Sequence, residues 1–218
     1  MLSLTIDERT ITAAPGTSVL QACLENGIFV PHLCHMAGRH PAPASCRLCF
    51  VSVDGQPQPV SACTTMVKPG MVVNTVSEAA RRLQRSALKL LLSTHDVDCR
   101  RCPANKRCAL QRLARHLKVP LKPAHLSLKL KKTALDDSHP CMNYYPNRCV
   151  LCGRCIHVCE RKNGRAHMAV ANRGLKTVIS FYGAAERLEA DCGACLACAA
   201  VCPVGALVPT PEPKERGD

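Results

Sequence analysis

The sequence predicts an α+β chain in which a strand-rich part is followed by helices and then by a cysteine-rich part. Three observations indicate this class. Apolar and polar positions alternate in "LSLTID", "TITA", "CFVSVDG" and "MVVNTV", as they do in half-buried strands. Apolar residues recur at helical spacing over residues 77–93. Two runs near the C-terminus, residues 149–159 and 192–202, share one spacing of four cysteines.

The cysteine content indicates that something besides hydrophobic burial holds this chain together. The 17 cysteines are about 8 % of the residues, and aromatic packing is scarce, with no tryptophan, three phenylalanines and three tyrosines. The N-terminus lacks the basic and apolar regions of a secretory signal, so we expect a cytoplasmic protein with reduced thiols. No apolar run approaches the roughly 20 residues that span a bilayer. These features favour metal or cluster sites over disulfides.

The net charge of +13 raises the question of a nucleic-acid partner. Basic residues are not interleaved with aromatic residues that would stack on bases. A basic shell around anionic cofactors accounts for the charge better, and we predict no nucleic-acid partner. Much of the charge lies in one cysteine-containing segment, at Arg100, Arg101, Lys106, Arg107, Arg112 and Arg115.

Residues 1–76 are predicted to form the first domain, a small β-grasp sheet. Two strands joined by the turn "ER" precede a short helix in "PGTSVLQACLENG". Thr17 or Ser18 would cap this helix and Gly27 would end it. Further strands follow on either side of Cys63. Two strands, a helix and further strands give the order of elements expected of this fold.

Besides Cys23, this first domain contains four cysteines spaced C-x11-C-x2-C-x13-C. The C-x2-C core and the distant fourth cysteine match plant-type ferredoxins, although the C-x4-C opening of those proteins is missing. The pattern predicts a 2Fe–2S cluster, with zinc as the alternative. His32, His35 and His40 flank the first cysteine and are interpreted as loop residues, because four cysteines are available. The predicted ligands are Cys34, Cys46, Cys49 and Cys63.

Residues 77–117 are predicted to form a helical segment that carries a second site. A helix over 77–93 presents an expected apolar face of Leu83, Ala87, Leu90 and Leu91, and another helix is expected after Cys108. Between them, "STHDVDCRRCPANKRC" places one histidine ahead of three cysteines. A neutral imidazole would make a 4Fe–4S cluster less negative than four thiolates do, which raises its reduction potential. The predicted ligands are His95, Cys99, Cys102 and Cys108.

Residues 141–208 are predicted to form a ferredoxin-like domain with two 4Fe–4S clusters, after a connector over 118–140. Both cysteine runs have the bacterial ferredoxin spacing C-x2-C-x2-C-x3-C, in which the fourth cysteine of a run binds the other cluster. Zinc needs two C-x2-C pairs, so a third cysteine in each run would be surplus. The predicted ligands are Cys149, Cys152, Cys155 and Cys202 for one cluster, and Cys159, Cys192, Cys195 and Cys198 for the other.

Two cysteines and one segment remain outside these sites. Cys23 lies on the apolar face of the short helix and is predicted to be a core residue. Cys141 has no evident partner and receives no role. The tail, residues 209–218, is Pro-rich and charged, so we expect it to be disordered or to lie on a partner.

The order of these sites resembles a known electron-transfer unit. The stretches that carry the likeness are "PHLCHMAGRHPAPASCRLC", "HDVDCRRCPANKRCALQ", "NRCVLCGRCIHVCE" and "CGACLACAAVCPVGAL". They are similar to the electron-entry half of the large iron–sulfur subunit of respiratory NADH dehydrogenase. They are equally similar to the N-terminal domains of iron-only hydrogenases and to the small diaphorase subunit of NAD-linked nickel–iron hydrogenases. One departure is "PANKR", between Cys102 and Cys108, which lacks the glycine expected there.

The resemblance implies an electron-transfer subunit of a hetero-oligomeric complex. Its 2Fe–2S end would face a flavoprotein that binds NAD(P), and its ferredoxin end would face a catalytic subunit. The chain stops after the ferredoxin part and shows no dinucleotide, phosphate-binding or hydrolytic motif, so we expect it to perform no substrate chemistry and to insert into no membrane. A soluble NAD(P)-linked hydrogenase is the first choice of complex.

Several alternatives to a hydrogenase complex stay open. An NAD(P)-linked formate dehydrogenase, an electron-bifurcating transhydrogenase and a respiratory NADH dehydrogenase arm would each use the same unit. A zinc-binding nucleic-acid module is the alternative from another class of protein, because cysteine pairs also bind zinc.

Overall fold

The computed structural model describes residues 1–210, which form two units. One unit comprises residues 1–90 and 113–120, and the other comprises residues 91–112 and 121 onward. The domain boundaries inferred from the cysteine pattern stay a prediction. Most of the predicted tail, residues 211–218, lies outside the described residues. Within the described part of the chain, no helix combines the length and the apolar character needed to cross a membrane.

The first unit is built on a mixed five-stranded sheet with the order β2-β1-β5-β3-β4. Strands β1 and β5 are parallel, and the other neighbouring strands are antiparallel. A mixed sheet with helices agrees with the predicted α+β class. The strands are β1 (Leu2–Ile6), β2 (Arg9–Ala13), β3 (Phe50–Val53), β4 (Val60–Ser61) and β5 (Val72–Asn74).

Alternation in the first two strands places their apolar side chains in one core. Leu4 and Ile6 of β1 are almost fully buried and pack in the same cluster as Ile11 of β2. The turn between the strands puts Asp7 and Glu8 at positive φ, as a tight hairpin requires. The two strands were therefore predicted correctly, and the turn lies one residue earlier than predicted, at Asp7 and Glu8 instead of Glu8 and Arg9.

The short helix α1 (Val19–Glu25) begins at the cap that the sequence suggested. The Ser18 hydroxyl accepts a hydrogen bond from the Gln21 N–H at 3.2 Å, which decides between the two candidate caps. Gly27 follows the helix with φ +71°, a conformation that glycine adopts at little cost. Cys23 is fully buried in the core of this unit, which confirms its predicted place.

Helix α2 (Glu78–Ser93) lies where it was predicted, but its buried face was predicted wrongly. Leu90, assigned to the apolar face, is 62 % exposed. Four residues at i, i+4 spacing are buried instead. The error has a physical cause, because Gln84 belongs to the buried stripe and its amide donates to the carbonyl of Phe50 at 2.7 Å. A count of apolar residues misses this satisfied polar side chain. The buried stripe is Ala80, Gln84, Leu88 and Leu92.

The second unit consists of short helices and two small antiparallel sheets, which pair β6 with β9 and β7 with β8. Residues 118–140 contain no regular helix or strand; Asp136 forms an isolated bridge with Tyr144. Helix α3, Ala109–Leu117, begins in the second unit and ends in the first. The other elements are β6 (Met142–Tyr144), α4 (Arg154–Asn163), β7 (Met168–Ala171), a 3₁₀ turn (Gly174–Lys176), β8 (Val178–Phe181), α5 (Ala185–Cys192), α6 (Ala197–Ala200) and β9 (Leu207–Pro209).

Candidate iron–sulfur centres

The sheet-unit set, Cys34, Cys46, Cys49 and Cys63, is buried, with each residue no more than 3 % exposed. The sulfurs of Cys34 and Cys46 lie 3.4 Å apart. A hydrogen bond with Cys46 lowers the pKa of Cys34 to about 5, and one with Cys49 lowers the pKa of Cys63. The same hydrogen bonds, together with burial, raise the pKa values of Cys46 and Cys49. The fold therefore brings the four sulfurs together as two close pairs.

Two of the histidines that flank Cys34 have hydrogen-bond partners within the protein. His32 Nδ1 lies 2.8 Å from the Val30 carbonyl, and His35 Nε2 lies 2.8 Å from the Gln21 side-chain oxygen. Both rings thus have protein partners, as loop residues would. Arg47, between the second and third cysteines, adopts φ +53° and places its guanidinium 5.3 Å from the Phe50 ring centre. That conformation lets the chain turn tightly between two cysteines.

The histidine set, His95, Cys99, Cys102 and Cys108, follows the end of α2. The His95 N–H donates to the Leu92 carbonyl at 3.2 Å, so the histidine continues the last helical turn. Burial lowers the pKa of His95 to about 4, which keeps the imidazole neutral at physiological pH. The Nδ1 atom is buried and has no hydrogen-bond partner among residues 1–210. A neutral ring with an unpaired nitrogen has the form that a metal ligand needs.

The three cysteines of the histidine set lie close together in the loop before α3. Burial raises the pKa of Cys108, and both Cys102 and Cys99 contribute to this rise. Within the loop, Lys106 adopts φ +68° at a position in the segment where the sequence lacks an expected glycine. A non-glycine residue in this conformation costs about 1 kcal/mol. The Lys106 N–H is stabilised by hydrogen bonds to the side-chain oxygens of Asn105 and Gln111, both at 2.9 Å.

Gly205 packs tightly against the histidine set. A Cβ at this position would lie 2.8 Å from the Ala104 Cβ and 3.4 Å from the Cys102 sulfur. The first distance is too short for two carbon atoms, so an added methyl group would force the Cys102 loop to move.

Gly205→Ala should therefore destabilise the protein by more than the cost of placing alanine at a positive φ, because the added methyl group also collides with Ala104. Gly164→Ala is the matched control, because its φ of +71° is close to the +65° of Gly205 and a Cβ there would meet nothing within 4 Å. We expect the control to lower the free energy of unfolding by about 1 kcal/mol, and Gly205→Ala to lower it by about 1–3 kcal/mol more. Anaerobic urea unfolding followed by circular dichroism measures both. Equal losses would show that Gly205 is not tightly packed.

The first ferredoxin set, Cys149, Cys152, Cys155 and Cys202, lines one cavity. This cavity is also lined by Tyr144 and Ile179. Burial raises the pKa of Cys155, and Cys149, Cys152 and Cys202 all add to this rise. The structure thus brings a cysteine of the second run to three cysteines of the first.

In the second ferredoxin set, one cysteine of the first run lies near three cysteines of the second run. The set is Cys159, Cys192, Cys195 and Cys198. Burial raises the pKa of Cys198 to about 12, with further contributions from Cys159, Cys192 and Cys195. Cys159 lies in α4, whereas the other three belong to the second run. The structure thus places Cys159 near the cysteines of the second run. The assignment of each fourth cysteine to the other run's cluster stays a prediction.

The backbone is shaped to point N–H groups at sulfur in both ferredoxin sets. Gly153 and Leu196 follow the second cysteine of their runs and precede α4 and α6 with φ of +67° and +45°. The N–H groups of His167 and Ala206 lie 3.3 Å from the sulfurs of Cys159 and Cys202. Donors around sulfur stabilise thiolates and reduced clusters.

The chemistry of these four sets fits iron–sulfur clusters. In a 4Fe–4S cluster each ligand binds its own iron, and in a 2Fe–2S cluster each iron takes two ligands, so the ligands surround a volume rather than converge on a point. Among residues 1–210, no three side chains of His, Cys, Asp or Glu converge closely enough to hold a single metal ion. The cavity lined by the first ferredoxin set has the required form.

Sequence reasoning did not identify Tyr144, Asn163, His167 and Gly205 as neighbours of the sites. Each lies within reach of a cysteine sulfur or beside one in the fold, but its spacing from the cysteines follows no ligand pattern. Tyr144 lies in β6, Asn163 at the end of α4, His167 directly before β7 and Gly205 in the turn before β9.

Models of three families match successive parts of this chain. Residues 1–78 match a 2Fe-2S iron-sulfur cluster binding domain. Residues 84–120 match the NADH-ubiquinone oxidoreductase-G iron-sulfur binding region. Residues 139–208 match the ferredoxin-like domain of NADH-quinone oxidoreductase subunit 3. The matches support 2Fe–2S and 4Fe–4S clusters in the predicted order.

Curated relatives are subunits of NAD(P)-linked oxidoreductases. The NADPH-Fe(3+) oxidoreductase subunit alpha of Geobacter sulfurreducens is 36 % identical over 211 residues, which cover 97 % of this chain and 24 % of that subunit. An NADP-reducing hydrogenase subunit of Solidesulfovibrio fructosivorans is 31 % identical over 95 % of this chain and 36 % of its own length. This chain thus spans between a quarter and about a third of these relatives.

A solved structure matches nearly the whole chain. It is a crystal structure of NAD⁺-reducing NiFe-hydrogenase in the H₂-reduced state, with a TM-score of 0.83 and 31 % identity. The match covers 99 % of this chain and 90 % of the hydrogenase chain. Together with the family matches, it confirms the resemblance found in the cysteine pattern. This chain belongs to the family of iron–sulfur electron-transfer subunits of NAD(P)-linked hydrogenases and NADH dehydrogenases.

Proposed function

We propose that this chain passes single electrons between a flavoprotein that binds NAD(P) and the catalytic subunit of an NAD(P)-linked hydrogenase. The observation that carries the proposal is the single cavity lined by Cys149, Cys152, Cys155 and Cys202, which gathers cysteines of both ferredoxin runs. The likeness to the hydrogenase structure over 99 % of this chain supports the choice of complex.

The proposed cofactors are one 2Fe–2S cluster in the sheet-unit set and three 4Fe–4S clusters in the other sets. When bound, these clusters supply one-electron transfer without proton chemistry. The polypeptide holds the sulfurs, excludes water and sets potentials through ligand type, hydrogen bonds and burial. His95 would make its cluster less negative than its neighbours, because an imidazole replaces a thiolate.

A second candidate is the same role in an NADPH-linked oxidoreductase that is not a hydrogenase. The 36 % identity to the NADPH-Fe(3+) oxidoreductase subunit favours it. Co-purification of the native complex separates the two candidates. A hydrogenase complex should oxidise H₂ and reduce NAD(P), whereas the second candidate should lack hydrogen-dependent activity.

Metal analysis of anaerobically purified protein tests the role itself. We expect a brown preparation with roughly fourteen irons per chain, the content of one two-iron and three four-iron clusters. Dithionite should reduce the isolated chain, while NADPH should reduce it only after a flavoprotein partner is added. A colourless protein that contains several zinc ions would contradict the proposal and favour the zinc-binding module.

A further inference from the structure

Tyr144 is a buried phenol whose position in the second unit is fixed from two sides. It ends strand β6 and is 1 % exposed. Its ring packs edge to face on Phe181, with ring centres 6.1 Å apart and planes at 86°. Its hydroxyl oxygen accepts a hydrogen bond from the Ile179 N–H at 3.1 Å. The side chain therefore has little freedom, and the hydroxyl keeps one proton to donate.

The remaining hydroxyl proton is directed at the first ferredoxin set. Tyr144 lines the same cavity as all four cysteines of that set. Its hydroxyl is hydrogen-bonded to the Cys149 side chain, and the hydroxyl is the donor because its oxygen already accepts from the Ile179 N–H. The Leu151 N–H also points at the Cys149 sulfur, at 3.4 Å.

The repeat offers a comparison inside the same molecule. Cys192 holds the position in the second run that Cys149 holds in the first. Cys192 packs in an apolar cluster with Leu188 and Cys141 instead of facing a phenol. The two runs therefore share a ligand spacing but give their first cysteines different surroundings.

We propose that Tyr144 sets the reduction potential of the cluster bound by the first ferredoxin set, by donating its hydroxyl hydrogen bond to the Cys149 sulfur. Reduction adds negative charge that spreads over the sulfurs, so a donor stabilises the reduced state more than the oxidised state. The hydrogen bond therefore raises the potential. This inference rests on the proposed function, since it requires a 4Fe–4S cluster in the cavity.

Tyr144→Phe tests the inference, because it removes the hydroxyl and keeps the ring that packs on Phe181. In a redox titration followed by EPR, we expect the ratio of reduced to oxidised cluster at a fixed potential to fall three- to tenfold for one 4Fe–4S signal. A tenfold fall corresponds to about 59 mV for a one-electron couple. The signals of the other clusters should titrate as before.

Tyr145→Phe is the matched control. Tyr145 precedes the same cysteine run, and the Arg148 guanidinium carbon lies 4.1 Å from its ring centre, a contact that phenylalanine preserves. We expect no change in any potential for this variant. Iron analysis of every sample separates two kinds of failure: full iron content with an unmoved potential overturns the role of Tyr144, whereas absence of iron overturns the proposed function.

A second variant keeps the hydrogen bond that the Ile179 N–H donates to residue 144. Tyr144→3-fluorotyrosine keeps the oxygen that accepts from Ile179, and its more acidic hydroxyl is a stronger donor. We expect the potential of the same cluster to rise, opposite to the effect of Tyr144→Phe. If the Tyr144→Phe protein does not bind the cluster, the redox titration of the fluorinated protein tests the inference. An unchanged potential in the fluorinated protein refutes the inference.

Discussion

Cys202→Ala should remove the same 4Fe–4S cluster that Cys149→Ala removes. The two residues belong to different cysteine runs, yet the fold places both on one cavity. Each single variant should retain roughly ten of the expected fourteen irons per chain, and the double variant should lose no more than either single variant. Iron and sulfide analysis with EPR of the reduced protein measures these losses.

A second pair of substitutions makes this test of the exchange sharper. Cys149 and Cys159 belong to the same run, but we assign them to different clusters. The double variant Cys149→Ala/Cys159→Ala should therefore keep only roughly six irons per chain. Cys141→Ala is the control for loss of a buried cysteine, and it should retain all iron because Cys141 is assigned to no cluster. If each run held its own cluster, the results of the two double variants would be reversed.

His95→Ala should remove one 4Fe–4S cluster and leave the 2Fe–2S signal and the other two 4Fe–4S signals in place. The loss follows because three cysteines remain and the segment offers no fourth one. Roughly four irons per chain should be lost. His125→Ala, which changes an exposed histidine of the connector, should keep the full iron content.

His95→Cys gives the complementary result. A thiolate restores the fourth ligand, so the iron content should return. The added negative charge should lower the potential of that cluster relative to the native protein, because reduction then adds an electron to a more negative site. A native iron content and an unchanged potential in both His95 variants would refute the ligand role.

Tight loops made the cysteine sets predictable from the sequence. Three ligands of one cluster must lie within a few residues, so the spacing C-x2-C-x2-C is visible without the fold. The exchange of Cys159 and Cys202 is predicted on the same grounds, since the fourth cysteine of each run lies outside its loop. A cap at Thr17 or Ser18 and the helix after Cys108 followed from local chemistry, and the structure selects Ser18.

Features that depend on contacts through space were not predictable in this way. The buried face of α2 was missed because the Gln84 amide donates to the carbonyls of Phe50 in β3 and of Thr75, the residue after β5. Tyr144 and Gly205 reach the sites only after β6 and the turn before β9 have folded against the cysteine loops. The left-handed conformation of Lys106 contradicts the preference of its residue type, so side-chain identity gave no sign of it.

The division of the chain into two units has a practical consequence for dissecting the molecule. Because the polypeptide enters the second unit within α2, returns to the first within α3 and leaves it again after Pro120, neither unit is a continuous stretch of sequence. No single truncation point yields one complete unit, and a gene fusion or a recombination event that transfers only residues 1–90 leaves residues 113–120 behind. Expression trials and module swaps should therefore carry residues 1–120 as the shortest N-terminal piece.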